Sequence, residues 1–210
     1  MLKNYFLLTL LLLTNSFLFG QQLDSEDYKV YTTLIKTEIL DSTKSVAIIK
    51  KGIDSQETAE NTYWIAKSLI AKDLNSKYDI YNNTENYKKV RPSIIDSINA
   101  QFLIDYCKSK HDKFTLTNGF YQPYKMILIK KFPIRRKSIE QDWKNFYEKY
   151  PGSSGIFCFS KISYYTTDKT TAIFYYWLRR HGLSGHGALA VMTKINGEWQ
   201  IKYKTYMWFN

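Results

Sequence analysis

The chain has 210 residues and a formal net charge of +11 at pH 7. Beyond a short leader about 190 residues remain, enough for one domain with its own core, and no later apolar run approaches membrane-spanning length. Such a charge either serves solubility alone or favours anionic partners, namely glycans, acidic lipid headgroups or acidic proteins, and the leader sets nucleic acid aside.

Residues 1–20 carry that leader. Lys3 supplies the positive end, "YFLLTLLLLTNSFLFG" the apolar stretch, and Gly20 precedes the polar "QQLDSEDYK". The stretch reads as a cleaved secretory signal that sends the chain to the periplasm or outside the cell. With no cysteine near the cut, a lipid anchor is not expected. Residues 21–210 are expected to form a single α+β domain.

"SEDYKVYTTLIKTEIL" places Tyr28, Tyr31, Leu34 and Ile35 near helical spacing, with Ser25 as the candidate N-cap. "SVAIIKK" is a short apolar run closed by Gly52 and reads as a buried strand. Residues 55–74 return to helical spacing through Ala59, Tyr63, Ala66 and Ile70, and residues 75–92 read as a long polar loop. A helix is expected over 93–110, with Ile94, Ile95, Ile98, Phe102 and Tyr106 in one stripe. "YKMILIKKF" is the next strand. In "SIEQDWKNFYEKYPG", Ser138 and Gln141 form a capping box, Ile139, Trp143, Phe146 and Tyr147 form the apolar face, and Pro151 and Gly152 stop the helix.

From Gly155 the texture changes to four aromatic and β-branched runs, "GIFCFSKISYY", "TAIFYYWL", "GALAVMTKI" and "EWQIKYKTYMWF". Asn196-Gly197 between the last two is a strong hairpin signal. In the last run Trp199, Ile201, Tyr203, Thr205 and Met207 alternate with Gln200, Lys202, Lys204 and Tyr206, which predicts one dry face and one wet face. The expected architecture is N-terminal helices packed on a C-terminal four-stranded antiparallel meander, with one or two extra strands.

Trp143, Phe146, Tyr147, Tyr150, Pro151, Ser153 and Gly155 spell a W-x-x-F-Y-x-x-Y-P-x-S-x-G block. Ser160, Ala172, Gly182, Gly185, Gly187, Asn196, Gly197, Trp199 and Trp208 continue the pattern. On these residues the last third of the chain resembles an uncharacterised family of exported bacterial proteins. "YKVYTTLI" and "SVAIIKK" are similar to that family's opening helix and strand. The resemblance implies a fold and an exported life but no known activity, since the matched residues are those that set turns and fill cores. The chain departs from the pattern at "SKISYY" and at the Gly-rich turn, where it carries Arg179, Arg180, His181 and His186.

"RRHGLSGHG", residues 179–187, is the stretch richest in chemistry. His181 and His186 are two possible zinc ligands, but zinc asks for three or four and His111 is remote in sequence, so no metal or other cofactor is expected. "GLSGH" begins like a nucleophile elbow and ends in histidine, and its flanks read as strands rather than strand and helix. The plainer reading is a hairpin with glycines at positions of close approach. Arg179, Arg180, His181 and His186 remain as candidate ligand-binding residues.

Lys130, Lys131, Arg135, Arg136 and Lys137 form the densest basic cluster and are candidates for anionic glycan or lipid headgroups; a solvated loop is the alternative. Tyr164, Tyr165, Tyr175, Tyr176, Trp177, Tyr206 and Trp208 could stack on sugars or fill both faces of a covered sheet. Cys107 and Cys158 could form one disulfide in an exported protein or remain as buried thiols. No carboxylate pair is set out for acid–base work. The sequence favours non-catalytic binding of an envelope component or protein partner; the alternative is a hydrolase with its site at 179–187.

Overall fold

The computed structural model describes residues 23–53, 102–103, 105–106, 114–120, 124–131, 138–182 and 184–209. The expected leader, the helix expected over 55–74, the loop expected over 75–92 and most of the helix expected over 93–110 lie outside them. Cys107, His111, Arg135, Arg136 and Lys137 do too.

Helix α1 spans Ser25–Glu38. Its cap is Asp24 rather than Ser25: the Asp24 carboxylate accepts from Glu26 N at 2.9 Å and Asp27 N at 3.0 Å, and Asp27 accepts from Asp24 N in return. A carboxylate serves here better than a hydroxyl because it also meets the positive end of the helix dipole. The expected apolar stripe is buried, with Tyr31, Leu34 and Ile35 fully inaccessible.

Strand β1 (Ser45–Ile49) follows, then β2 (Lys125–Ile129), helix α2 (Ile139–Lys149) and β3 (Ser153–Phe159). After these come β4 (Ser163–Tyr164), β5 (Thr171–His181), β6 (Ser184–Ile195) and β7 (Glu198–Phe209). The α2 cap is half of the expected box. Ser138 accepts from Gln141 N at 3.4 Å, but the Gln141 amide turns away to donate to Asn145 at 2.9 Å. Asn196 and Gly197 both have positive φ, 51° and 85°, as the β6–β7 hairpin requires.

The strands make one seven-stranded mixed sheet in the order β2-β1-β3-β5-β6-β7, with β4 paired to β5. This overturns the expected four-stranded antiparallel meander with N-terminal helices packed on it. β1 pairs in parallel with both β2 and β3, so the antiparallel strands continue into a parallel half. Parallel pairing needs a crossover, and α2 lies on the one between β2 and β3. "SVAI" is buried throughout, the mark of a strand covered on both sides. Two helices of this α+β fold are described, one on each face of the sheet, and among the described residues none is long and apolar enough to cross a membrane.

The inner face packs on α1. Phe157 and Phe159 of β3, Phe174 and Tyr176 of β5 and Ala188 and Ala190 of β6 meet Tyr31, Leu34 and Ile35 in one core. The alanines leave room for the helix, and the large side chains fill the flanks. On the outer face Trp143 and Phe146 of α2 pack on Ala47, Ile129 and Ile156, while Leu103 and Tyr106 cover Ile173, Tyr175, Leu189 and Val191. Adjacent aromatics such as Tyr175 and Tyr176 are thus buried on opposite faces.

β7 does not keep the single alternation read from the sequence. Its register with β6 shifts between Val191 and Met192 and again between Gly187 and Ala188. A bulge adds one residue, and one residue reverses every side chain that follows. Trp199 and Ile201 belong to the inner core, whereas Tyr203 and Met207 pack on the outer one. Lys204, expected in water, therefore points inward.

Candidate functional site

Residues 179–187 are strand almost throughout. β5 and β6 stay paired up to His181 and Ser184, with a register shift after Arg179. The alternation of side chains divides the segment between the two faces.

On the inner face Arg180 and His186 come to the C-terminal end of α1. His186 is buried, with Nε2 3.3 Å from Oε2 of Glu38, off the line of a good hydrogen bond. Its ring meets Tyr176, Tyr206 and Phe209 at centroid distances of 5.8, 5.1 and 6.2 Å. The other oxygen of Glu38 accepts from the Tyr176 hydroxyl and the Lys204 ammonium, both at 2.7 Å. Arg180 donates to the main-chain carbonyl of Glu38 at 3.0 Å and so caps α1. Burial alone raises the Glu38 carboxyl; the contacts from His186, Lys204 and Tyr176 outweigh it and hold it at about 2. Burial and the Glu38 charge push the Tyr176 phenol far above its ordinary range. Burial lowers the Lys204 ammonium, but the bonds to Glu38 and Tyr206 outweigh it and raise it.

The same helix is tied to the sheet at its other end. Glu26 accepts from Lys194 Nζ and Trp199 Nε1, each at 2.6 Å, Asp27 accepts from the Tyr164 hydroxyl at 2.8 Å, and Asp24 binds Lys169. Carboxylates at a helix N-terminus are favoured by the dipole, but Glu38 sits at the opposite end, where the dipole opposes it. Its charge is held there by the sheet residues around it.

On the outer face Arg179 lies beside two indoles, its guanidinium carbon 5.4 Å from the Trp177 ring centroid and 5.6 Å from that of Trp208. The register explains the cluster. Trp177 and Trp208 both pair with Gly187, and Arg179 pairs with Gly185 one row away. A Cβ at Gly187 would fall 2.2 Å from Trp208 Nε1 and 2.3 Å from the Tyr175 hydroxyl, and one at Gly185 would fall 3.1 Å from Arg179 Cγ. Gly185 leaves space for the arginine and Gly187 for the Trp208 indole. Trp208 Nε1 donates to the Tyr175 hydroxyl at 2.8 Å. Among the described residues Arg179 Nε is buried without a hydrogen-bond partner, and no carboxylate lies within ion-pair distance of this guanidinium.

The other candidates stand apart. His181 and Ser184 are exposed. Lys130 and Lys131 are exposed just past β2. Because β2 runs parallel to β1 and β3 while β5 opposes β3, they occupy the end of the sheet away from Arg179. Cys158 is a free, buried thiol whose Sγ lies 3.7 Å from the Lys51 carbonyl. No group of three or more His, Cys, Asp or Glu gathers as a metal site among the described residues. Of the aromatic set, Tyr175 and Tyr176 are buried, while Trp177 and Trp208 are half-buried.

Sequence reasoning missed Glu38 and Lys204. Glu38 shows only as an acid in the last turn of a helix, and Lys204 comes inward through a bulge that no residue pattern announces. Compared with protein-family models, with curated proteins and with solved structures, the chain matches none.

Proposed function

We propose that this chain is an exported protein that binds an envelope component, or a protein partner, without catalysing a reaction. One observation carries the reading: the two arginines of the 179–187 segment have opposite fates. Arg180 is spent on the end of α1, whereas Arg179, half-buried on the outer face, lies beside two indoles and has no carboxylate partner among the described residues. A cation with no counter-charge among the described residues, on a chain of net charge +11, suits an anionic ligand. The cluster at 130–137, of which Lys130 and Lys131 are exposed, is a second place where anionic glycans or lipid headgroups would be held.

The test is retention of the purified chain on sulfated-polysaccharide beads and on anionic liposomes at low salt. Retention that weakens as salt rises supports the reading. A chain that ignores both supports sinks it. Replacing all five basic residues of 130–137 by Gln then separates their share from that of Arg179.

A hydrolase is the second reading, favoured by the approach of His186 to Glu38, which resembles the histidine–acid half of a catalytic triad. It needs a nucleophile, and the nearest serine in sequence, Ser184, is exposed rather than packed on His186. Ester hydrolysis that is lost on His186→Ala, with the fold intact, would establish this reading in place of the first.

A further inference from the structure

We infer that Trp177, Arg179 and Trp208 form a binding site for a carboxylate-bearing sugar ring, the repeating unit of an acidic polysaccharide. The inference rests on the binding reading above and names its ligand class. A guanidinium presents a planar fork of donors that matches a carboxylate with two parallel hydrogen bonds. Here the fork is pre-positioned, because indoles from two strands lie beside it, Gly185 leaves room for the arginine and Gly187 leaves room for Trp208. Ordering an arginine costs rotamer entropy, and a side chain already held by its neighbours has met much of that cost before a ligand arrives.

The indoles supply the second half of the recognition. Half-buried aromatic faces offer apolar area that the C–H face of a pyranose ring can cover, with the hydroxyls left in water. A small inorganic anion would use the guanidinium and leave the indoles idle; a neutral sugar would do the reverse. A lipid surface asks for protruding side chains, whereas these three are only partly accessible.

The probe is oligogalacturonate, with its methyl ester as the uncharged counterpart of the same ring. By calorimetry the wild-type chain is expected to bind the acid and to lose at least tenfold in affinity on esterification. Arg179→Gln should lose tenfold or more for the acid. Arg179→Lys, which keeps the charge but not the fork, should lose most of that. Independently of any variant, the indole N–H resonances of Trp177 and Trp208 in the wild-type protein should shift on titration. Unmoved indole signals, or full affinity in a folded Arg179→Gln protein, overturn the site. A chain that holds sulfated polysaccharide or anionic vesicles but not oligogalacturonate overturns this inference and leaves the binding reading standing. A chain that holds none of the three overturns both.

Discussion

The Lys204 ammonium stands 2.7 Å from Oε1 of Glu38, the last residue of α1, and the pair fastens the helix to the last strand of the sheet. The Glu38 carboxyl falls from its ordinary 4.5 to about 2 in the folded chain. A folded value below the unfolded one means that the stabilisation is complete above about pH 4.5 and disappears as the pH falls through about 2. It amounts to about 3 kcal/mol at neutral pH. Urea unfolding followed from pH 7 to 2 should show that loss in the wild-type chain. Glu38→Gln should start about 3 kcal/mol lower at pH 7 and lack this part of the acid slope. An unchanged acid slope in the variant would show that Glu38 is not the group responsible.

Ser160 joins the two faces of the fold. Its hydroxyl oxygen accepts from Tyr175 N at 2.8 Å and lies 2.9 Å from the Tyr106 hydroxyl, and its carbonyl accepts from the Tyr31 hydroxyl at 2.8 Å. Ser160 is fully buried, so water cannot replace the lost oxygen. Ser160→Ala should cost about 1–3 kcal/mol, read as a lower urea midpoint with an unchanged slope, while Ser160→Thr recovers part of it. A neutral Ser160→Ala would mean that the Tyr175 N–H finds another acceptor.

Local rules made much of this fold legible. The α1 stripe, the Asn196-Gly197 hairpin, the β1 run and the α2 helix follow from periodicity and turn chemistry, which act over a few residues. Sheet order does not. Nothing near Ser45 says that it will pair with Ser153 and Lys125, because parallel partners are chosen by tertiary packing. The candidate site was legible by residue name and not by arrangement. Arg179, Arg180 and His186 stand out in the sequence, but which face each serves depends on strand phase. The β7 bulges that bring Lys204 to Glu38 and Trp208 to Arg179 are set by pairing with β6. Charge at a helix C-terminus was the one local oddity that could have drawn attention to Glu38.

Burial pushes the Cys158 thiol up to about 12. The thiolate is the reactive form, so at pH 8 almost none is present in the folded chain. Iodoacetamide should leave the Cys158 peptide unmodified in native protein for as long as the fold persists and label it fully in denaturant, as read by peptide mass spectrometry. Rapid native labelling would contradict both the burial and the raised value.

Gly187 and Gly197 carry opposite kinds of constraint, and alanine separates them. At Gly197 a Cβ meets nothing within 4 Å, so Gly197→Ala pays only for its φ of 85°, about 1 kcal/mol. At Gly187 the new methyl would stand 2.2 Å from Trp208 Nε1 and 2.3 Å from the Tyr175 hydroxyl. Neither ring can yield without breaking the Trp208–Tyr175 hydrogen bond and leaving the Arg179 guanidinium without one of its two indoles. Gly187→Ala should therefore cost about 2–4 kcal/mol, overpacking plus a lost hydrogen bond, and should weaken any ligand held at Arg179. Urea midpoints for the two variants decide the matter. If Gly187→Ala costs no more than Gly197→Ala, the close seat of Trp208 on β6 is wrong, and the pre-positioned arginine loses its support.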